Sequence, residues 1–458
     1  MCLDKYISFK LLSYQSIVIL SLFSLTFPLQ FDMHTSLVNQ ESPQSVHLRH
    51  LNESKLQTFD NIYKILTIKV CFGHPPQCLD LIYDTGMMYV IVGDKNQNVK
   101  FSNSFASTQS QTLRQGSKYL YSLSYRSGGI SAREVCDYCN IGDTRPPYTF
   151  NFLIAFNTTM SYNFDGILGL GNRYPIKEDG STFDERFSFM EYLKFNKVIK
   201  KKVFAHEYIN STYGKFYIEE TPKSMGNDYF KCNTGYNVPY LYKWYCSLSK
   251  IALSNGREFT LSSAIAFDTG YIDIRGPSHE GSQLFEELLR IGNGRCNVEE
   301  INVDQDSKYK KLYCSKKVST SSFPDIHFTI NEYKLTLFKN DLFRLVEING
   351  ERKYVCKITI DSRYQYWNVG NPVLKNYNMI FNHDDGFVGF KENINYYGES
   401  WLSVIILSLL FVGIACLGGY VYINRKRIFS KELSSVEIEK IKERESFDSG
   451  DQLNEIKD

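Results

Sequence analysis

The tripeptide Asp-Thr-Gly occurs twice, at Asp84-Thr85-Gly86 and Asp268-Thr269-Gly270, and the two aspartates stand 268 − 84 = 184 residues apart. Each copy follows a short apolar run of strand character, Leu81 to Tyr83 and Ala264 to Phe267. That spacing suits two lobes, each lending one carboxylate to a shared site. A carboxylate delivered by a strand and followed at once by a tight turn is held firmly, and two of them can grip a water molecule. Like charges about 3 Å apart cannot both ionise, so one acid of such a pair is protonated while the other is ionised.

The segments around the triplets extend the pattern. Tyr63 and Ile68 lead into Phe72-Gly73-His74-Pro75-Pro76-Gln77, and Tyr125-Arg126-Ser127-Gly128-Gly129 follows the first triplet. Phe164-Asp165-Gly166-Ile167-Leu168-Gly169-Leu170-Gly171 closes the first half. The second half repeats the scheme with Gly276-Pro277, Phe323-Pro324-Asp325-Ile326-His327-Phe328, Trp367-Asn368-Val369-Gly370, Asn376-Tyr377-Asn378-Met379-Ile380-Phe381 and Val388-Gly389-Phe390. From about Tyr63 to Phe390 the chain resembles the pepsin-like aspartic proteases, with collinear landmarks in both halves.

The resemblance implies an all-β, bilobal acid-protease fold: two related β-barrel-like lobes with the active cleft between them. It implies Asp84 and Asp268 as the catalytic pair, holding a water that attacks the scissile carbonyl of a peptide or protein substrate, with no covalent intermediate, metal or cofactor. Thr85 and Thr269 would cross-brace the two loops through their hydroxyls. Gly86 and Gly270 would permit backbone conformations that other residues resist, and Tyr125 would close over the substrate from a flap. Cys314 and Cys356 bracket the Phe323-Pro324 strand as a disulfide does in the family, which implies that bridge.

The chain also departs from the family. The residue after each triplet is usually Ser or Thr, whose hydroxyl donates to the outer oxygen of the aspartate; here it is Met87 and Tyr271. Ile91 stands where a tryptophan usually anchors the flap tyrosine. Losing donors to an ionised carboxylate raises its pKa, so a less acidic working range is expected. The phenol of Tyr271 could still reach Asp268, whereas Met87 cannot donate. Two readings follow: an endopeptidase with a retuned dyad, or a catalytically inactive or weak pepsin-fold protein that binds peptides in its cleft.

The ends of the chain speak of membranes. Lys5 and Lys10 precede the apolar Ile17 to Leu25, as in a secretory signal spanning residues 1–28. Trp401 to Ile423 is an uncharged apolar run long enough to cross a hydrocarbon core of about 30 Å. Asn424-Arg425-Lys426-Arg427 follows it, and the positive-inside rule places residues 424–458 in the cytosol. The expected arrangement resembles the beta-secretase type. It is a single-pass type I protein of the secretory or endolysosomal system or the cell surface, with its catalytic lobes luminal or extracellular. Residues 29–60 read as a short propeptide or a disordered extension, 61–228 as the N-terminal lobe with a helix over Phe187 to Leu193, and 229–392 as the C-terminal lobe with a helix over Ser282 to Ile291.

Eleven cysteines fit an oxidising compartment. Outside the signal and the apolar run nine remain, so at least one is unpaired. Cys71 and Cys78 are symmetric about the His74-Pro75 turn, Cys232 and Cys246 make a similar pair, and Cys136 and Cys139 read as disulfide partners rather than zinc ligands, since no further cysteine pair or histidine cluster completes four ligands. Asn52, Asn157 and Asn210 begin glycosylation sequons. The 458 residues are 43% hydrophobic with a net charge of +2 and carry no long basic block in the central region, so nucleic acid is not an expected partner and a monomer is. No His-x-x-x-His zinc pair, Gly-x-Ser-x-Gly elbow or phosphate-binding glycine loop competes with the carboxylate pair.

Overall fold

A computed structural model describes residues 30–39, 62–97, 99, 101–125, 128–141, 148–159, 164–172, 187–209, 213–234, 243–302, 308–348, 350–393, 408–417, 420–422, 424, 439–440 and 442. They fall into two units, Met1–Tyr396 and Tyr397–Asp458. The first is built on two β-sheets, one of 14 strands and one of ten. β-Branched and aromatic residues favour the strands, and those nearest the triplets, Gly166–Gly169, Ile274–Pro277 and Trp367–Val369, are buried along their whole length.

One four-strand arrangement occurs in both sheets and carries the triplets. In the first half, strand Gln77–Asp84 runs parallel to Gly166–Gly169, pairing Asp84 with Gly169. Gly166–Gly169 runs antiparallel to Ile91–Gly93, which is parallel to Phe150–Thr158. In the second half, strand Glu258–Phe267 runs parallel to Trp367–Val369, pairing Phe267 with Val369. Trp367–Val369 runs antiparallel to Ile274–Pro277, which is parallel to Glu351–Asp361. The registers make Ile167 the counterpart of Asn368, because these pair with Ile82 and Ala266, each two residues before its aspartate. They also make Ile91 the counterpart of Arg275, across from Ile167 and Asn368 respectively.

The sheets do not divide the chain at residue 228. Strands Phe230–Asn233, Tyr377–Asn382 and Phe387–Glu392 join the first sheet, where Tyr377–Asn382 pairs with Val203–Tyr208. The late strands thereby tie the second half back to the first. Backbone of Gln30–Asn39, in the segment read as a propeptide or extension, forms a strand between Tyr213–Ile218 and Ile62–Phe72. The helix expected over Phe187 to Leu193 spans Phe189–Phe195, with the Ser188 side chain accepting from the Glu191 N–H as N-cap. That expected over Ser282 to Ile291 spans Ser278–Gly292.

Among the described residues three disulfides are formed, and two expectations are wrong, the Cys314–Cys356 bridge and the disulfide bonding of Cys136 and Cys139. Cys71–Cys78 joins residues directly opposite in a hairpin, and Cys232–Cys246 is also present. Cys314, however, bonds Cys296 rather than Cys356. The register decides this: Cys314 lies directly across from Cys296 on one side, and from Tyr354 on the other. Cys356 is displaced two residues along that strand and sits opposite Phe343. It is a buried free thiol whose pKa burial pushes up to about 12. Cys136 and Cys139 are free as well. The chain sends them to different neighbours, Cys136 opposite Asn151 and Cys139 opposite Phe72, and the Cys136 thiol donates to Thr149 Oγ1 at 2.8 Å.

In the second unit residues 408–417 are helical with exposed side chains. Among the described residues no helix is long and apolar enough to cross a membrane. The expected signal, the sequons at Asn52 and Asn210, residues 401–407 of the apolar run and most of the tail lie outside the described residues.

Peptide mapping without reduction is expected to recover the links 71–78, 232–246 and 296–314, with Cys356 alkylated only after denaturation. A 314–356 link would contradict this strand register.

Candidate active site

The two triplets stand at the ends of strands Gln77–Asp84 and Glu258–Phe267, which belong to different sheets, and meet at their threonines. Thr85 Oγ1 accepts from the Thr269 N–H at 3.0 Å and donates to the Phe267 carbonyl at 2.9 Å. Reciprocally, Thr269 Oγ1 accepts from the Thr85 N–H at 3.0 Å and donates to the Tyr83 carbonyl at 2.8 Å. Both hydroxyls are buried, and each links the other turn to the strand that delivers the other aspartate. Main-chain bonds hold each turn against its own half: Gly171 N–H to Met87 O at 2.7 Å, and Asn371 N–H to Tyr271 O at 2.8 Å.

The glycines serve a different purpose from the one expected. Neither Gly86 nor Gly270 has a positive φ. A Cβ on Gly86 would stand 2.5 Å from Asp268 Oδ1, and one on Gly270 would stand 2.6 Å from Asp84 Oδ2. Each carboxylate therefore packs against the glycine of the opposite triplet, and only hydrogen at that position leaves room. The same packing brings Asp84 and Asp268 close enough to share a hydrogen bond.

The two acids have unequal surroundings. Asp84 Oδ1 accepts from the Gly86 N–H at 2.8 Å. Burial first, and then the charge of Asp268, push the Asp84 carboxyl well above the usual carboxylate range, while the Gly86 amide and Lys243 pull less strongly the other way. Asp268 Oδ2 accepts from Asn368 Nδ2 at 3.0 Å and from Lys243 Nζ at 3.3 Å. Lys243 also donates to Asn368 Oδ1 at 3.1 Å, closing a buried triangle. The neighbouring Trp244 fixes that lysine in space, because its indole N–H donates to the Leu170 carbonyl of the first half at 2.9 Å.

Tyr271 does not turn its phenol to Asp268. Its hydroxyl accepts from Arg275 Nη2 at 3.2 Å, with the guanidinium 5.2 Å from its ring. The same guanidinium lies 4.4 Å from the Tyr364 ring, donates to the Tyr364 hydroxyl and stands 3.9 Å from Asp361. Met87 packs with the apolar cluster around Met88, Tyr89 and Ile91.

The structure thus brings Asp84, Thr85, Gly86, Asp268, Thr269 and Gly270 together. Tyr125 ends strand Arg114–Tyr125, opposite Gly128 in the hairpin with Gly128–Asp137, and its side chain lies outside what the structure describes. Asn157 is exposed on strand Phe150–Thr158. Sequence reasoning missed Lys243 and Asn368. The signal for Asn368 was a polar residue where the first half has Ile167; the signal for Lys243 was a lone charge between Tyr242 and Trp244.

The family model described as "Eukaryotic aspartyl protease" matches residues 66–393. No curated protein matches the chain.

The raised Asp84 pKa makes stability depend on pH. Between the unfolded aspartate value of about 3.9 and the higher folded value, the native state holds a proton that the unfolded chain has released, so stability falls as pH rises through that window. Asp84→Asn cannot ionise and is expected to flatten this decline. Thermal melts of both proteins across the window test it; parallel curves would show that Asp84 is not the group responsible.

Proposed function

The chain belongs to the eukaryotic aspartyl protease family, and on that premise we infer that it is a membrane-anchored endopeptidase that hydrolyses peptide bonds by activating water between Asp84 and Asp268. The observation that carries this reading is the reciprocal packing of the two carboxyls against the opposite glycines, which leaves them a single shared site. The dyad carries one proton at working pH. Its ionised member takes a proton from the water, its protonated member donates to the carbonyl oxygen, and the tetrahedral intermediate collapses as the amine is protonated. The acid and the base of this scheme are both side chains of the chain itself, and the nucleophile is the water held between them.

The second reading, a pepsin-fold protein that binds peptides without cutting them, rested on the missing hydroxyls after the triplets. Lys243 and Asn368 donate to Asp268 in place of the hydroxyl missing after the second triplet, which weakens that support on the Asp268 side. Peptides or proteins are the substrates proposed, and the protein is proposed to act as a monomer. Support for the anchor comes from the uncharged Trp401 to Ile423 and the Arg425-Lys426-Arg427 cluster beyond it, which also put the protease region on the luminal or extracellular side.

Asp84→Asn and Asp268→Asn are each expected to lower the rate of cleavage of a peptide library by at least about a hundredfold, the scale of general acid–base catalysis, with the fold retained. If either variant keeps most of its activity, the pair is not the catalytic dyad. In sealed vesicles, added protease is expected to remove only the tail beyond about residue 424; digestion of the protease region with the tail protected would reverse the topology.

A further inference from the structure

The two halves of the molecule repeat one backbone arrangement, yet they solve the carboxylate's environment differently. At Ile167 the first half has an apolar side chain, buried with Ile91 and Met88. At the matching position the second half has Asn368, buried to 2% exposure and bonded to both Asp268 and Lys243. Lys243 is itself 6% exposed. An ammonium at that depth must face an anion, because an uncompensated buried charge is costly.

The groups around this ammonium identify the anion. Asp268 lies in direct contact on one triplet, and Asp84 faces it from the other at longer range, as a lesser influence. From the segment before Trp367, the Tyr366 ring stands 5.8 Å away and packs edge-on against Tyr245. Arg275, opposite Asn368 in the next strand, directs its guanidinium at Tyr271, Tyr364 and Asp361 rather than at the dyad. Asp268 is thus the dyad carboxylate that Lys243 Nζ touches.

We propose that Lys243, oriented by Asn368, is a positioning residue that fixes the dyad's single negative charge on Asp268 and leaves the shared proton on Asp84. Asp268 is then the base that takes the proton from water, and Asp84 the acid that protonates the carbonyl oxygen. The burial that raises the Asp84 pKa acts in the same direction. This rests on the endopeptidase reading for its roles, though the charge placement itself does not. It also bears on the hydroxyls missing at Met87 and Tyr271, because Lys243 and Asn368 supply donors to Asp268.

The test uses the full chain in detergent, with aspartate side-chain carboxyls labelled with carbon-13 and the dyad signals assigned through the two Asp→Asn variants. In the native protein the lower of the two macroscopic steps is expected at Asp268. Lys243→Gln should raise that step by about one pH unit or more, the range seen for loss of an opposite charge. Lys243→Arg should hold it near its native position, because the charge is kept. Should Lys243→Gln fail to fold, Asn368→Ile, which installs the residue type of the first half, removes one donor to Asp268 and should raise the step by a smaller amount. Where cleavage is measurable, the acid limb of kcat/KM should move with the same step. A lower step located at Asp84, or one that neither variant moves, would overturn the proposal. So would a Lys243→Gln enzyme that is faster at every pH with an unshifted limb, since the lysine would then be an obstruction. A native protein that cleaves nothing would instead sink the endopeptidase reading, and the carboxyl titration would still decide where the charge resides.

Discussion

Two threonine hydroxyls, each set between the other turn's N–H and the carbonyl preceding the other aspartate, close the two halves of this protein on one another. Removing either hydroxyl would orphan one buried donor and one buried acceptor, each at about 1–3 kcal/mol, against a whole-domain stability of only about 5–15 kcal/mol. The brace fixes the turns, and the turns fix the carboxylates. With the threonines joined, each aspartate meets the glycine of the opposite triplet at a distance that a methyl group would occupy. Two acids held this way in a buried site act as one group with one proton, which is the physical requirement for water activation.

The duplication supplies the brace; divergence between the copies supplies the polarity. Symmetric backbones would give two equivalent acids. Ile167 against Asn368, and Ile91 against Arg275, break that equivalence at positions facing the dyad's supporting strands. On the first side burial and the neighbouring charge of Asp268 favour the protonated acid at Asp84. On the second, a lysine and an amide converge on one oxygen of Asp268. Arg275 occupies the phenol of Tyr271, so the residue that follows the second triplet braces the wall of the site and leaves the carboxylate to Lys243 and Asn368.

What could be read from the sequence was whatever rests on local chemistry. The Asp-Thr-Gly turns, the hairpin disulfide across His74-Pro75 and the helices near Ser188 and Ser282 are each written within a few neighbouring residues. The pairing of Cys314 was not, because the separation of cysteines along the chain is silent about strand register, and register put Cys296 directly opposite. The role of the triplet glycines was misread for a related reason: the constraint on them is a side chain from the opposite triplet and not their own φ. Lys243 was invisible in the same sense. It precedes a strand by one residue, lies 25 residues from Asp268, and is aimed by the indole bond of Trp244 to the other half of the chain.

The claim on which the rest depends is that Asp84 and Asp268 form one proton-sharing unit. It is tested most directly by the affinity, as a function of pH, of a peptide whose scissile amide is replaced by a secondary alcohol resembling the tetrahedral intermediate. Such a ligand needs one carboxylate to accept from its hydroxyl and one carboxylic acid to donate to it, so the account predicts affinity that peaks where the dyad carries a single proton and falls on either side. Affinity that stays flat across the acidic range, or that survives unchanged when either aspartate is replaced by asparagine, would contradict it.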